Sequence, residues 1–359
     1  MGRKFNFGAG PATLPTSVLE EVKNELLDWK GKGLSVIEIS HRSDDYTELA
    51  HEAEKDFRKL LNISESYSVL FSHGGATIHN AMIPLNFSSR EGEASYVMSG
   101  HWASASMKEA KKYTNVNIAA SSEKTNFSFF PPQPSWEVTE KSDYIHITPN
   151  ETIGGISLRK IKKEFIPIIA DYSSSILSEP IDINSFGMLY GGAQKNIGPA
   201  GLGFAIIKKD LLGKAQEITP TMLNYKILTE SSSMFNTPPT FSWYVAGKVF
   251  KWLIAKGGVD SMGIINQKKA MKLYNFIDSS ILYSNNIEEP SRSIMNVPFS
   301  LKNEDLNNKF LSDSVKHGLL ELKGHRSVGG MRASIYNAMP EEGVEALIEF
   351  MKLFERENL

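Results

Sequence analysis

The chain has no cysteine among its 359 residues. That absence removes disulfides, thiolate metal sites and every mechanism built on a cysteine nucleophile. Long apolar runs are missing as well: no stretch approaches the roughly 20 apolar residues of a membrane helix. Residues 1–16 alternate glycine, proline and polar side chains, without the apolar core of a secretory signal. Gly2 lacks a lipidation context, because Asn6 stands where serine or threonine is required. A cytoplasmic location is the expectation. Charge of one sign is also scarce, with 39 basic and 41 acidic residues giving a net −2. Such a balance gives no field for wrapping nucleic acid or an anionic membrane. The densest basic run, Arg159, Lys160, Lys162 and Lys163, is followed by Glu164 and reads as solvated surface. HExxH, Walker and GxSxG motifs are absent. His51-Glu52 comes nearest to a zinc helix, but Lys55 occupies the second ligand's place.

What is present is ordinary for a water-soluble globular chain, 41% hydrophobic and 22% charged. Ser17-Val18-Leu19-Glu20 reads as a capping box opening a helix that Gly31 stops. A second amphipathic helix is expected over 45–61, with Leu49, Ala53, Phe57 and Leu60 on one face. Short apolar runs at 67–72, 94–98, 116–119, 144–148, 166–170, 187–190 and 203–207 then alternate with helical stretches such as 78–85 and 103–113. This alternation predicts an α/β fold, a mostly parallel seven-stranded sheet covered by helices. The proline-rich stretch 121–135 is a loop. A helix over 243–256 ends at Gly257-Gly258, and beyond it a smaller α+β layer is expected. It comprises helices at 260–279 and 304–317, strands at 295–299, 319–322 and 331–336, and a closing helix from 341. The expected division is a large domain of 17–257 and a small one of 1–16 with 258–359.

Ligands in open α/β sheets bind beyond the carboxyl ends of the strands, and four constellations fall there. Ser72-His73-Gly74-Gly75-Ala76-Thr77 runs from strand to helix through two glycines, and open amides at a helix start favour a phosphate; taken alone, the motif reads first as an ordinary glycine turn. Asp171 emerges from an apolar strand, either to cap the Ser173-Ser174-Ser175 turn or to pair with a protonated ring nitrogen. Lys195, in Gly191-Gly192-Ala193-Gln194-Lys195-Asn196-Ile197-Gly198, sits at a strand end fenced by glycines. Burial there lowers a lysine from its usual ~10.4 and makes the amine nucleophilic toward an aldehyde. His325-Arg326 with Arg332, together with His41-Arg42, supply guanidinium forks for a substrate carrying both carboxylate and phosphate, although surface ion pairs would use the same residues. Trp102, just past a strand, can stack on an aromatic ring or pack in the core.

These segments together resemble the phosphoserine aminotransferase family of the class V, fold-type I pyridoxal-phosphate enzymes. The likeness rests on Phe5-Asn6-Phe7-Gly8-Ala9-Gly10-Pro11-Ala12, Ser40-His41-Arg42-Ser43, Asn150-Glu151-Thr152-Ile153-Gly154-Gly155, Gln194-Lys195-Asn196 and residues 324–339, and it covers essentially the whole chain. The resemblance implies pyridoxal 5'-phosphate as cofactor. Lys195 is then the Schiff-base lysine, Asp171 the partner of the pyridinium nitrogen, Trp102 the stacked ring and Thr152 the donor to the phenolic oxygen. Ala76, Thr77 and Gln194 would contact the cofactor phosphate, with Thr77 standing where some members carry arginine. Asn236 and Thr237 would reach the neighbouring subunit's cofactor, implying a homodimer with shared sites. Arg332 would clamp the α-carboxylate, and His41, Arg42, His325 and Arg326 the substrate phosphate. The implied reaction moves the amino group of L-glutamate to 3-phosphohydroxypyruvate, giving O-phospho-L-serine and 2-oxoglutarate in serine biosynthesis. Activity on 3-hydroxy-2-oxo-4-phosphooxybutanoate in pyridoxine biosynthesis is implied too. A serine–glyoxylate-type aminotransferase is the alternative, but it has no need of the phosphate-sized cluster. The related cysteine desulfurases are excluded by the missing cysteine.

Overall fold

A computed structural model describes residues 2–359. Its centre is a seven-stranded sheet in the spatial order Tyr67–His73, Leu202–Lys208, Met188–Gly192, Ile168–Asp171, Ser142–Ile147, Glu93–Met98 and Asn115–Ser121. Five neighbouring strands run parallel, as the alternation with helices requires. Leu202–Lys208 runs against both of its neighbours. Side chains alternate across each strand, and both faces are apolar. Val69 and Phe71, with Phe204 and Ile206, face one core, into which the helices Asp44–Leu61 and Thr240–Ala255 pack. Leu70, Ala205 and Ile207 face the other, beneath the helices Ala76–Phe87 and His101–Ala110. The sheet is thus sandwiched by helices, as the sequence led us to expect.

A further core is built from Phe7 and residues between Ala270 and Phe354. It contains the antiparallel strands Tyr283–Ser284, Asn296–Leu301 and Met331–Ser334, backed by the helices Asn307–Lys316 and Glu341–Asn358. The helix Gly258–Ser279 joins the two regions, burying Val259 and Met262 in the first core and Leu273 and Ile277 in this one. Phe5–Asn6 pairs in parallel with Leu319–Leu320 and attaches the N-terminal segment here. Among the described residues no helix is long and apolar enough to cross a membrane.

Several local expectations fail for identifiable reasons. The first helix is Thr16–Glu25 and begins after Pro15, with no side-chain cap. The expected capping box at Ser17 does not form: proline's fixed φ already sets the helix start, and Arg3 Nη1 donates to Leu14 O and Thr16 Oγ1 at 3.0 and 2.7 Å. That helix stops well before Gly31, which closes a separate 3₁₀ turn around the buried Trp29. The expected helix over 304–317 is a 3₁₀ turn, Glu304–Leu306, followed by Asn307–Lys316. Strand Met331–Ser334 ends early because the chain turns back at residues 335–339.

Candidate active site

Because Leu202–Lys208 reverses direction, three chain ends meet at one edge of the sheet. His73 pairs with Leu202 and Gly192 with Gly203, so the Gly74-Gly75 turn lies beside the 193–201 turn that carries Lys195. Gly74 N donates to Gly201 O at 3.3 Å. The carboxyl ends of the parallel strands, with Asp171, Thr152 and Trp102 on or just past them, open at the same edge. Together these segments line a cavity of about 500 Å³. Ala76, Thr77, Trp102, Thr152, Asp171, Gln194, Lys195, His325 and Arg332 all stand on its wall.

Lys195 is 9% exposed, and its Nζ donates to Thr152 Oγ1 at 2.5 Å. The same Nζ lies 6.0 Å from the centroid of the Trp102 ring. Burial pushes this amine down to about 8, the Asp171 and Glu151 carboxylates pull it back up, and Arg332 adds to the fall. Asp171 closes its strand, where Oδ1 accepts from Ser173 N at 2.9 Å and Ser173 Oγ at 2.6 Å. Among the described residues Oδ2 makes no hydrogen bond. The two readings of Asp171 are therefore compatible: one oxygen caps the serine turn and the other is free for a ligand. Burial raises this carboxyl, opposed by Ser173 and Lys195.

Gly74 and Gly75 have φ of 89° and 65°, in the left-handed region that glycine enters without a Cβ clash. They deliver the chain into the helix Ala76–Phe87, which has no side-chain cap, leaving its first amides open beside the cavity. Gln194 folds back over the bare Gly192, where a Cβ would meet its Oε1 and clash. Open amides, a helix dipole and an adjacent amide side chain suit a phosphate.

Glu151 is the residue whose importance local sequence did not signal. It is wholly buried, and its two oxygens accept from Trp102 N (3.0 Å) and Ala103 N (2.8 Å) at the start of the helix His101–Ala110. Burial raises it to about 7, the two amides and Lys195 lower it, and Asp171 raises it. Its place depends on Gly100, where a Cβ would lie 2.5 Å from Glu151 Cδ. The clamp fixes the segment carrying Trp102.

Arg332 faces the cavity from its strand with Nη1 3.4 Å from Thr152 O, while its buried Nε has no partner. No carboxylate neutralises it among the described residues. Burial lowers its pKa from the usual guanidinium value, and such a group calls for an anionic ligand. His325 Nδ1 lies 2.7 Å from Ser327 Oγ, and its ring is 5.6 Å from that of His101, a second residue the sequence did not single out. Burial, with His101, Arg332 and Arg326 nearby, lowers His325. The region is electropositive.

Five expected site residues do not line this chain's cavity. Arg42 and Arg326 are exposed, and half-buried His41 leaves Nε2 without a partner. Asn236 and Thr237 are exposed as well; His73 Nε2 pairs with Thr237 O at 2.8 Å, which holds that segment beside the Gly74-Gly75 turn.

A buried lysine, a carboxylate with one unbonded oxygen and a helix start with open amides meet at the strand ends of an α/β sheet, and the chain belongs to the class-V aminotransferases, whose family model matches residues 4–347. Within that class its likeness is to the phosphoserine aminotransferases. It is 54% identical to the one from Hahella chejuensis and 51% to that from Pseudomonas syringae pv. tomato, each over 99% of both chains. The solved phosphoserine aminotransferase from Bacillus circulans subsp. alkalophilus superimposes with a TM-score of 0.97 at 43% identity, covering 99% of each chain. The pyridoxal-phosphate-bound enzyme from Trichomonas vaginalis gives 0.94 at 38%, over 98% of this chain and 100% of that one. An alanine–glyoxylate aminotransferase from Nostoc shares the fold alone, at 16% identity and a TM-score of 0.78.

Proposed function

We propose that the chain uses pyridoxal 5'-phosphate to transfer the amino group of L-glutamate to 3-phosphohydroxypyruvate, forming O-phospho-L-serine and 2-oxoglutarate in the cytoplasm. The observation that carries this reading is the Lys195 amine, buried and held by Thr152, facing an unpaired Arg332 across one cavity. Full-length identity to named phosphoserine aminotransferases supports the substrate assignment. Action on 3-hydroxy-2-oxo-4-phosphooxybutanoate is part of the proposal, since that acid carries the same two anionic groups.

When bound, the cofactor supplies an aldehyde and an electron-accepting ring. The residues of the chain do the rest. The open amides of Ala76 and Thr77, with Gln194, would hold the cofactor phosphate. Asp171, through its free Oδ2, would pair with the ring nitrogen and keep it protonated, Trp102 would stack on the ring and Thr152 would serve the phenolic oxygen. Lys195 Nζ takes and returns the proton at the substrate α-carbon, and an amine near 8 is suited to both directions. Arg332 binds the α-carboxylate, and His41, Arg42, His325 and Arg326 form the phosphate pocket. Asn236 and Thr237, exposed and off their own cavity wall, serve the cofactor phosphate of a second copy, making the working unit a homodimer. The large domain of 17–257 and the small one of 1–16 with 258–359 then frame the site from two sides.

Steady-state rates with phosphorylated and unphosphorylated 2-oxo acids test the substrate. A strong preference for the phosphorylated acid is expected; equal kcat/KM for both refutes the assignment and favours a serine–glyoxylate-type enzyme.

A further inference from the structure

Lys269 lies in the middle of the helix Gly258–Ser279 and is 0% exposed. No carboxylate touches it. Its Nζ donates instead to three main-chain oxygens, those of Ile335 at 3.1 Å, Tyr336 at 2.9 Å and Met339 at 2.9 Å. The nearby acid Glu341 is taken up by Lys268 and Lys272. Burial pushes this amine down to about 7, yet three carbonyl acceptors need the three N–H donors that only the ammonium has, whereas an apolar side chain would fill a helix–turn contact at less cost. The three oxygens around it belong to the turn that follows the strand of Arg332.

That turn reaches the catalytic amine through one peptide group. The Tyr336 carbonyl accepts from Lys269, and the N–H at the other end of the same peptide, that of Asn337, donates to Asn196 Oδ1 at 3.0 Å. Asn196 is the chain neighbour of Lys195, and its Nδ2 donates to Ile176 O at 2.9 Å. A cation on a peptide oxygen polarises the N–H opposite and strengthens its hydrogen bond. The Asn337 side chain secures the arrangement, donating to Leu177 O at 2.9 Å and accepting from Asn266 Nδ2 at 2.8 Å. On the other side Tyr336 OH donates to Ala9 O at 3.0 Å, at the cavity wall.

We infer that Lys269 is a positioning residue for the catalytic lysine: its ammonium fixes the Tyr336–Asn337 peptide so that Asn337 holds Asn196, and with it the turn presenting Lys195 to the cavity. The inference rests on the proposed function only in taking Lys195 as the cofactor-binding amine.

The test compares wild type, Lys269→Met, Asn196→Ala and the double variant as cofactor-loaded proteins. Two quantities are read: the pH midpoint of the cofactor's visible band, which reports the nitrogen of residue 195, and backbone hydrogen exchange. In Lys269→Met, exchange should rise about tenfold in both 194–198 and 335–339, with the helix Asp44–Leu61 unaffected. The band midpoint should move by about half a pH unit or more. Asn196→Ala should move it likewise, and the double variant should add nothing to either. Loosening confined to 335–339 with an unmoved band, or additive shifts in the double variant, overturns the inference; a purely stabilising lysine would behave in that way. Should Lys269→Met fail to fold, Asn196→Ala decides alone: it leaves the Lys269 cage in place, and an unmoved band there breaks the proposed link. A wild-type protein with no such band would refute the function instead, while the exchange experiment would still judge the coupling.

Discussion

Replacing Thr152 with valine should make the Lys195 amine more acidic. In the structure Lys195 Nζ donates to Thr152 Oγ1 at 2.5 Å, and burial has already brought the amine down to about 8. A hydrogen bond to a charged group contributes about 1.5–3 kcal/mol. At about 1.4 kcal/mol per pH unit, losing that acceptor should lower the midpoint by about one to two units, toward 6 to 7. The valine methyl deepens desolvation and acts in the same direction. Competitive trace acylation of the cofactor-free protein, with the peptide containing residue 195 quantified across pH, measures the midpoint directly. The reasoning fails if Thr152→Val leaves the midpoint at 8 or raises it, because the hydroxyl would then be donating to a neutral amine. It fails too if the wild-type amine titrates near the ordinary 10.5. The linkage has a definite sign: between about 8 and 10.5 the unfolded chain holds this proton more tightly than the folded one. Stability from this group therefore grows as pH rises through that window, and the penalty is fully present below it.

Arg332→Lys should raise KM for glutamate by about tenfold, since a point-charge ammonium cannot reproduce the bidentate fork. Steady-state kinetics in both half-reactions read this, and an unchanged KM for donor and acceptor alike removes Arg332 from the substrate. Gly100→Ala should lower thermal stability by about 1–3 kcal/mol, because its Cβ would sit 2.5 Å from Glu151 Cδ, while φ of 167° places no strain on the backbone. A variant that melts like wild type with Trp102 undisturbed would show that the carboxylate can shift freely.

The legible parts of this molecule are those whose cause is local. Phe204 and Ile206 alternate with Ala205 and Ile207 because each strand feeds two cores, and that two-faced apolar pattern is written into seven consecutive residues. Lys195 was legible through its glycine fence, and Asp171 through the apolar strand it ends. Features with a distant cause were not. Phe5–Asn6 is a strand only because Leu319–Leu320 comes alongside it. The capping box at Ser17 is present in sequence, yet Pro15 and Arg3 fix the helix start first. Glu151 and Lys269 look like solvated positions until the fold removes the water around them, and nothing in their neighbours announces the amides or carbonyls that replace it.

One long-range feature does more for the site than any single motif. Seven parallel strands would carry the chain away from Gly192 before it could enter a neighbouring strand. With Leu202–Lys208 antiparallel, the short 193–201 turn suffices, and the pairings Leu202 with His73 and Gly203 with Gly192 place its ends against the Gly74-Gly75 turn. The Gly74-Gly75 turn and the Lys195 turn, separated by more than a hundred residues in sequence, thus become neighbours across one strand. The glycine at 192 is then a requirement of that proximity, because a Cβ there would collide with the Gln194 side chain, whereas Gly74 and Gly75 are required by the left-handed backbone of their turn.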